Sequence, residues 1–146
     1  VEILSIPTRQ ARTNARRTLL QALYQWQMTG HNPKDILQQF RDEQSMEKLD
    51  YEYFHDLLME IPRHVSELND YILPMIDRPL KEIDPVELTV LRIGVFELCH
   101  RQDIPYRVVI NEAVELAKRF GADQSHKYIN GVLDKIAQTI RPDEVK

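Results

Sequence analysis

One stretch constrains the fold more than any other. Val90, Leu91, Ile93, Val95, Phe96, Leu98 and Cys99 crowd into ten residues and leave no polar face of useful width. The stretch is entered through Asp84-Pro85-Val86-Glu87, which reads as a capping-box start: an aspartate cap, proline at the first helical position and glutamate at the third. A helix that is apolar on almost every side needs other helices around it, so this one is expected at the centre of a bundle.

The rest of the chain reads as helices punctuated by proline and capping residues; there are only four glycines and no sustained strand-like alternation. The first helix is expected over Thr8–Thr29, closed by Gly30, with Ala15, Leu19, Ala22, Leu23 and Trp26 as its apolar stripe. The second starts at Asn32-Pro33 and carries Ile36, Leu37 and Phe40. The third begins near Asp50 with Tyr53, Phe54, Leu57, Leu58 and Ile61. Pro62 must kink or restart it, because proline lacks the N–H and crowds the preceding turn. The pattern resumes at Val65, Leu68, Tyr71 and Ile72. After the central helix, one follows Pro105 and ends at Gly121, and a last one runs from near Asp123–Ser125 to Pro142. The segment Arg78–Ile83 is the expected seam between an N-terminal helical half, about 8–77, and a C-terminal half, about 84–141, within one domain spanning residues 1–146.

Composition excludes several classes of function. The single cysteine, Cys99, allows no internal disulfide and suggests a reducing compartment such as the cytoplasm. No apolar run approaches the roughly 18 residues of a membrane span, and Val1-Glu2-Ile3-Leu4-Ser5 is too short and acidic to read as a secretory signal. Neither GxGxxG nor GxxxxGK[ST] occurs, nor HExxH or CxxC, so no cofactor or metal is expected. His55 and His64 are separated by Pro62 and do not share a helix face. Cys99, within the apolar run, is expected to be an inert thiol. Acids sit at helix starts and on polar faces, where caps and solvated charge account for them.

The net charge of −4 hides an asymmetry. Residues 1–30 carry +3 and residues 31–60 carry −5; residues 61–100 carry −3 and residues 101–146 carry +1. Fields are screened within about 8–10 Å at physiological salt, so the local balance matters more than the total. On a helix, Arg9, Arg12 and Arg16 fall within about 60° of one another, and Thr13, Asn14 and Arg17 widen the patch. Guanidinium groups match phosphate geometry, and hydroxyl and amide groups can read base edges. A second feature is Lys127-Tyr128 at the start of the last helix, where a half-exposed aromatic beside a cation forms a base-stacking platform. Taken alone, either feature is equally consistent with a solvated face beside the core.

Several blocks in order carry a resemblance: Gln21-Ala22-Leu23-Tyr24-Gln25-Trp26-Gln27, Val90-Leu91-Arg92-Ile93, Ile104-Pro105-Tyr106, Ile110-Asn111-Glu112-Ala113, and Ser125-His126-Lys127-Tyr128-Ile129-Asn130-Gly131-Val132-Leu133-Asp134. Through them the chain resembles the NusB family of bacterial transcription antitermination factors over essentially its whole length. The resemblance implies an all-α fold of six to seven helices in two roughly perpendicular three-helix bundles. It implies a non-enzymatic protein that binds single-stranded boxA RNA of nascent transcripts, notably from ribosomal RNA operons. It also implies the ribosomal protein NusE as partner, within a complex on RNA polymerase. Carried onto this chain, it implies RNA contacts at Arg12, Thr13, Asn14, Arg16, Arg17, Lys127 and Tyr128, and NusE contacts at Tyr24, Glu82, Glu87 and Arg92. Arg12-Thr13-Asn14 stands where the family often has three arginines, and Tyr128 where it commonly has phenylalanine. A NusB-like module also begins a family of RNA cytosine methyltransferases; whether the gene continues past Lys146 into a Gly-rich cofactor loop and a catalytic cysteine discriminates the two readings.

Overall fold

The computed structural model describes residues 8–146, and every regular element among them is helical. The segment Val1–Ser5, considered above as a possible signal, lies outside them. The chain forms two compact units, one up to Glu60 and the other from Ile61.

The first unit holds α1 (Arg9–Thr29), α2 (Pro33–Glu43) and most of α3 (Tyr51–Arg63). The caps are those the sequence calls for. Thr8 Oγ1 accepts the Ala11 N–H at 3.0 Å, and Asn32 Oδ1 accepts that of Lys34 at 2.8 Å ahead of Pro33. Gly30 closes α1 with φ +72°, in the left-handed region where a side chain is strained. Ala15, Leu19, Ala22, Leu23, Ile36, Phe40, Tyr53, Phe54, Leu57 and Leu58 are buried. Trp26 and Leu37, expected in the core, are only half-buried.

The second unit holds α4 (Val65–Ile72), α5 (Pro85–His100), α6 (Tyr106–Phe120), α7 (Ser125–Ile140) and the single-turn α8 (Pro142–Val145). One-turn 3₁₀ helices at Leu73–Met75 and Leu80–Glu82 lead from α4 towards α5. Pro62 acts as expected: α3 ends one residue later, the His64 N–H bonds back to Ile61 O at 3.0 Å, and α4 restarts the helix. This restart and α8 raise the expected six or seven helices to eight among the described residues.

Helix α5 is the central element its composition requires, with every residue from Leu88 to Leu98 buried. Burying one such leucine contributes about 1.5–3 kcal/mol. Gly94 lets α7 approach closely, since a Cβ there would lie 2.9 Å from Leu133 Cδ1. The C-terminal end of α5 is satisfied by Arg141, which is 4% exposed. Its guanidinium donates to the carbonyls of Glu97, Leu98, Arg101 and Ile104. No helix in the described chain is long and apolar enough to cross a membrane.

Candidate nucleic-acid interface

The arginine-rich start of α1 is built onto the loop and cap that precede α3. Asp50 is buried and does two jobs. One carboxylate oxygen accepts the Tyr53 N–H at 3.2 Å, capping α3; the other accepts from Arg12 Nε at 2.8 Å. The Arg12 guanidinium lies 4.6 Å from the Tyr53 ring centroid, and that of Arg16 lies 5.2 Å from the same ring. Stacking on an aromatic face holds a guanidinium in place while leaving its edge donors available. Asn14 braces the same region, donating to Lys48 O at 2.9 Å and accepting from Gln10 Nε2 at 2.9 Å.

Exposure sorts these residues. Arg9 is exposed, and Arg12, Thr13, Asn14 and Arg17 are partly so. Among the described residues no hydrogen bond or ion pair engages the Arg9 or Arg17 side chains. Arg16 corrects the sequence expectation of an open cationic face: it is only 3% exposed. The reason is its place in the heptad, beside the buried Ala15 and Leu19 rather than opposite them. The geometry makes Arg16 a support under the Arg12–Tyr53 stack.

The second cluster stands at the start of α7. Gln124 precedes it in a left-handed conformation, φ +70°. Ser125 is buried, and its Oγ donates to Glu87 Oε2 at 2.6 Å, tying the start of α7 to the first turn of α5. Glu87 therefore does not close a capping box with Asp84. Asp84 alone caps α5, accepting from Val86 N at 2.9 Å and Glu87 N at 3.2 Å. Lys127 is exposed and Tyr128 half-buried. They line a pocket of about 510 Å³ together with Met75, Ile76, Arg78 and Lys135. The Arg78 guanidinium lies 5.5 Å from the Tyr128 ring centroid, and its Nε donates to Asp77 at 3.0 Å. That hydrogen bond and the adjacent positive charge hold the Asp77 carboxyl below its ordinary pKa.

The residues assigned to a protein partner are found in different settings. Tyr24 is half-buried on α1, and Glu82 is exposed in the second 3₁₀ turn. Glu87 is engaged by Ser125. Arg92 is only 9% exposed and donates to Asn69 Oδ1 from Nε at 3.4 Å and Nη2 at 3.2 Å; burial lowers its pKa. Its interior position corrects the expectation of an open contact and follows from the surroundings, since every neighbour on α5 is buried too.

Sequence reasoning missed Arg78 and Lys135. Lys135 could have been found, because Lys127, Gly131 and Lys135 recur every four residues on one face of α7. Arg78 carries no such signal; only folding brings it to a ring fifty residues away. Cys99 is half-buried, and burial pushes its thiol up to about 11.

Stacked guanidinium groups and a lysine–tyrosine pocket on a wholly helical scaffold define the class as a helical binding protein suited to anionic ligands. The chain belongs to the NusB family, whose model matches residues 13–138. It is 54% identical over 134 residues to the transcription antitermination protein NusB of Alcanivorax borkumensis, covering 92% of this chain and 89% of that protein. The corresponding protein of Nitrosococcus oceani is 50% identical over 135 residues, covering 92% and 90%. Among solved structures, the chain is similar to one in the crystal structure of antitermination factors NusB and NusE in complex with dsRNA. The TM-score is 0.79 and the identity 27%, over 90% of this chain and 99% of that one. A crystal structure of T. maritima NusB aligns with TM-score 0.68 and 27% identity, over 96% and 98%.

Proposed function

We propose that this chain is a transcription antitermination factor that binds boxA RNA of nascent transcripts together with NusE, within a complex on RNA polymerase. It works by assembly, not by catalysis: RNA contacts and a protein contact add within one complex. The observation that supports the reading is the structural similarity to a chain in a complex of NusB and NusE with dsRNA, along nearly its full length. Residues 1–146 serve as one RNA-binding domain acting in the bacterial cytoplasm. Arg12, Thr13, Asn14 and Arg17 contact RNA from α1, with Arg16 supporting them from beneath; Lys127 and Tyr128 contact it from α7. Tyr24, Glu82 and Glu87 contact NusE, and Arg92 links α5 to α4 through Asn69. The acidic stretch over residues 31–100 suits a basic ribosomal partner.

The test is a salt titration of boxA RNA binding by the chain with NusE, comparing wild type with Arg17→Ala/Lys127→Ala. Each lost phosphate contact on a single strand lowers the log–log salt slope by about 0.7, so the double variant should lose about 1.4. An unchanged affinity and slope would remove these side chains from the RNA face.

A further inference from the structure

The turn ahead of α3 holds a cation that the linear charge pattern misplaces. Lys48 falls within residues 31–60, the most acidic block of the chain, where it reads as a minor offset in a charge of −5. Folding removes it from that setting. Three hydrogen bonds fasten residues 48–50 to the first two turns of α1: Asn14 Nδ2 donates to Lys48 O at 2.9 Å, Asp50 N to Ala11 O at 3.0 Å, and Arg12 Nε to Asp50 Oδ2 at 2.8 Å. Gln10, Asn14 and Arg17 recur at i, i+4 and i+7, so they share one face of α1, and Gln10 and Asn14 are hydrogen-bonded to each other. Lys48 is thereby set against the face that carries Arg17, with its side chain exposed. Among the described residues no hydrogen bond or ion pair engages its ammonium. Glu47 next to it is exposed too, and Arg12 is paired with Asp50, so the turn adds no net charge that acts at a distance. It adds a short-range contact: a compact ammonium with three donors on a flexible stem, suited to meeting a phosphate oxygen directly.

Resting on the RNA-binding reading above, we infer that Lys48 contacts a backbone phosphate of the bound strand, next to those met by α1. Asn14 is the residue that positions it, because its amide fixes the Lys48 carbonyl while Gln10 fixes the amide. The RNA footprint on the first unit therefore includes the turn before α3 as well as the helix.

The experiment is a salt titration of fluorescently labelled boxA RNA binding to the full chain with NusE. Lys48→Ala should lower the log–log salt slope by about 0.7 and weaken binding roughly fivefold at about 0.1 M salt, and Lys48→Arg should keep both. Lys34→Ala is the control. Lys34 is an exposed lysine of the same acidic block, but it opens α2 at the other end of α1, whose 21 residues span about 30 Å, so its loss should change neither quantity. Asn14 carries no charge, so a lowered slope in Asn14→Ala reports the displacement of Lys48; in a Lys48→Ala background the same change should lower the slope no further. Urea midpoints of Lys48→Ala and Lys34→Ala should match wild type, since both side chains are exposed. A Lys48→Ala slope equal to that of wild type, alongside weakening in Arg17→Ala/Lys127→Ala, would overturn the Lys48 contact and leave the RNA-binding reading standing. Wild-type binding in all of them would overturn both. Equal losses in Lys34→Ala and Lys48→Ala would mean a general charge effect and overturn the contact. An unchanged slope in Asn14→Ala would overturn its positioning role. Weakened NusE binding without RNA in Lys48→Ala, at an unchanged RNA slope, would give the turn to the protein partner and overturn the proposal.

Discussion

Arg141 offers the sharpest test of how the second unit is held together. Its guanidinium donates to Ile104 O at 2.8 Å, Leu98 O at 2.9 Å, and Glu97 O and Arg101 O at 3.1 Å each, and it pairs with Glu144 Oε1 at 2.9 Å. Replacing it with Met keeps most of the volume and removes every donor. The loss is smaller than the number of bonds suggests, because most of the acceptors keep a second partner. Glu97 O still accepts from Arg101 N, Arg101 O from Ile104 N, and Leu98 O from Gln102 Nε2. Only Ile104 O loses its sole described donor, at a cost of about 1–3 kcal/mol. Removing a cation from the end of α5 costs up to about 2 kcal/mol more in a partly buried setting. The expected destabilisation is therefore about 1–5 kcal/mol, a large share of the roughly 5–15 kcal/mol that a domain has. Urea unfolding followed by circular dichroism measures it. Arg141→Lys should recover only the charge contribution, because one ammonium cannot reach carbonyls spread over Glu97–Ile104. A loss below about 1 kcal/mol for Arg141→Met, or full recovery with lysine, would refute this account.

Two further effects follow from the same packing. Glu144 accepts the Tyr106 N–H at 2.6 Å and pairs with Arg141; the backbone hydrogen bond first and the arginine second hold its carboxyl below the ordinary value. A carboxyl with a lowered folded pKa contributes stability that is present above its unfolded pKa and lost as pH falls through the folded one. Stability of Glu144→Gln should thus fall less than wild type on acidification below about pH 4.5, as read by unfolding midpoints across that range. Gly94→Ala places a methyl against the buried Leu133, and overpacking of this kind costs about 1–3 kcal/mol, less about 0.5–1 kcal/mol gained from the helix backbone. A net loss of up to about 2.5 kcal/mol in urea, partly repaired by Leu133→Val, is expected; a stabilised Gly94→Ala would show that α5 and α7 are not in close contact there.

Caps and helix breaks follow from physics that operates within a few residues. Thr8, Asn32 and Asp84 are readable as caps because a side-chain acceptor needs only the next turn. Pro62 is readable as a break because it removes a donor from its own helix. The burial of Val90, Leu91, Ile93, Val95, Phe96 and Leu98 follows from composition, since these apolar residues lie nearly all round the helix. The candidate site was half legible. The cationic residues at both helix starts could be named, but their accessibility could not: Arg16 and Arg92 read as charged surface and fold into the interior.

Sequence by itself determined that this chain is helical, which residues cap or break most of its helices, and which helix must be surrounded. Those outcomes depend on hydrogen bonds and steric contacts spanning about four residues. Tertiary structure alone decided which charges face solvent and which are spent on neighbours distant in the chain: Arg12 on Asp50, Ser125 on Glu87, Arg78 beside Tyr128, Arg141 over the end of α5. A charge's partner is set by distance in space, and a linear pattern carries that information only once the chain has closed on itself.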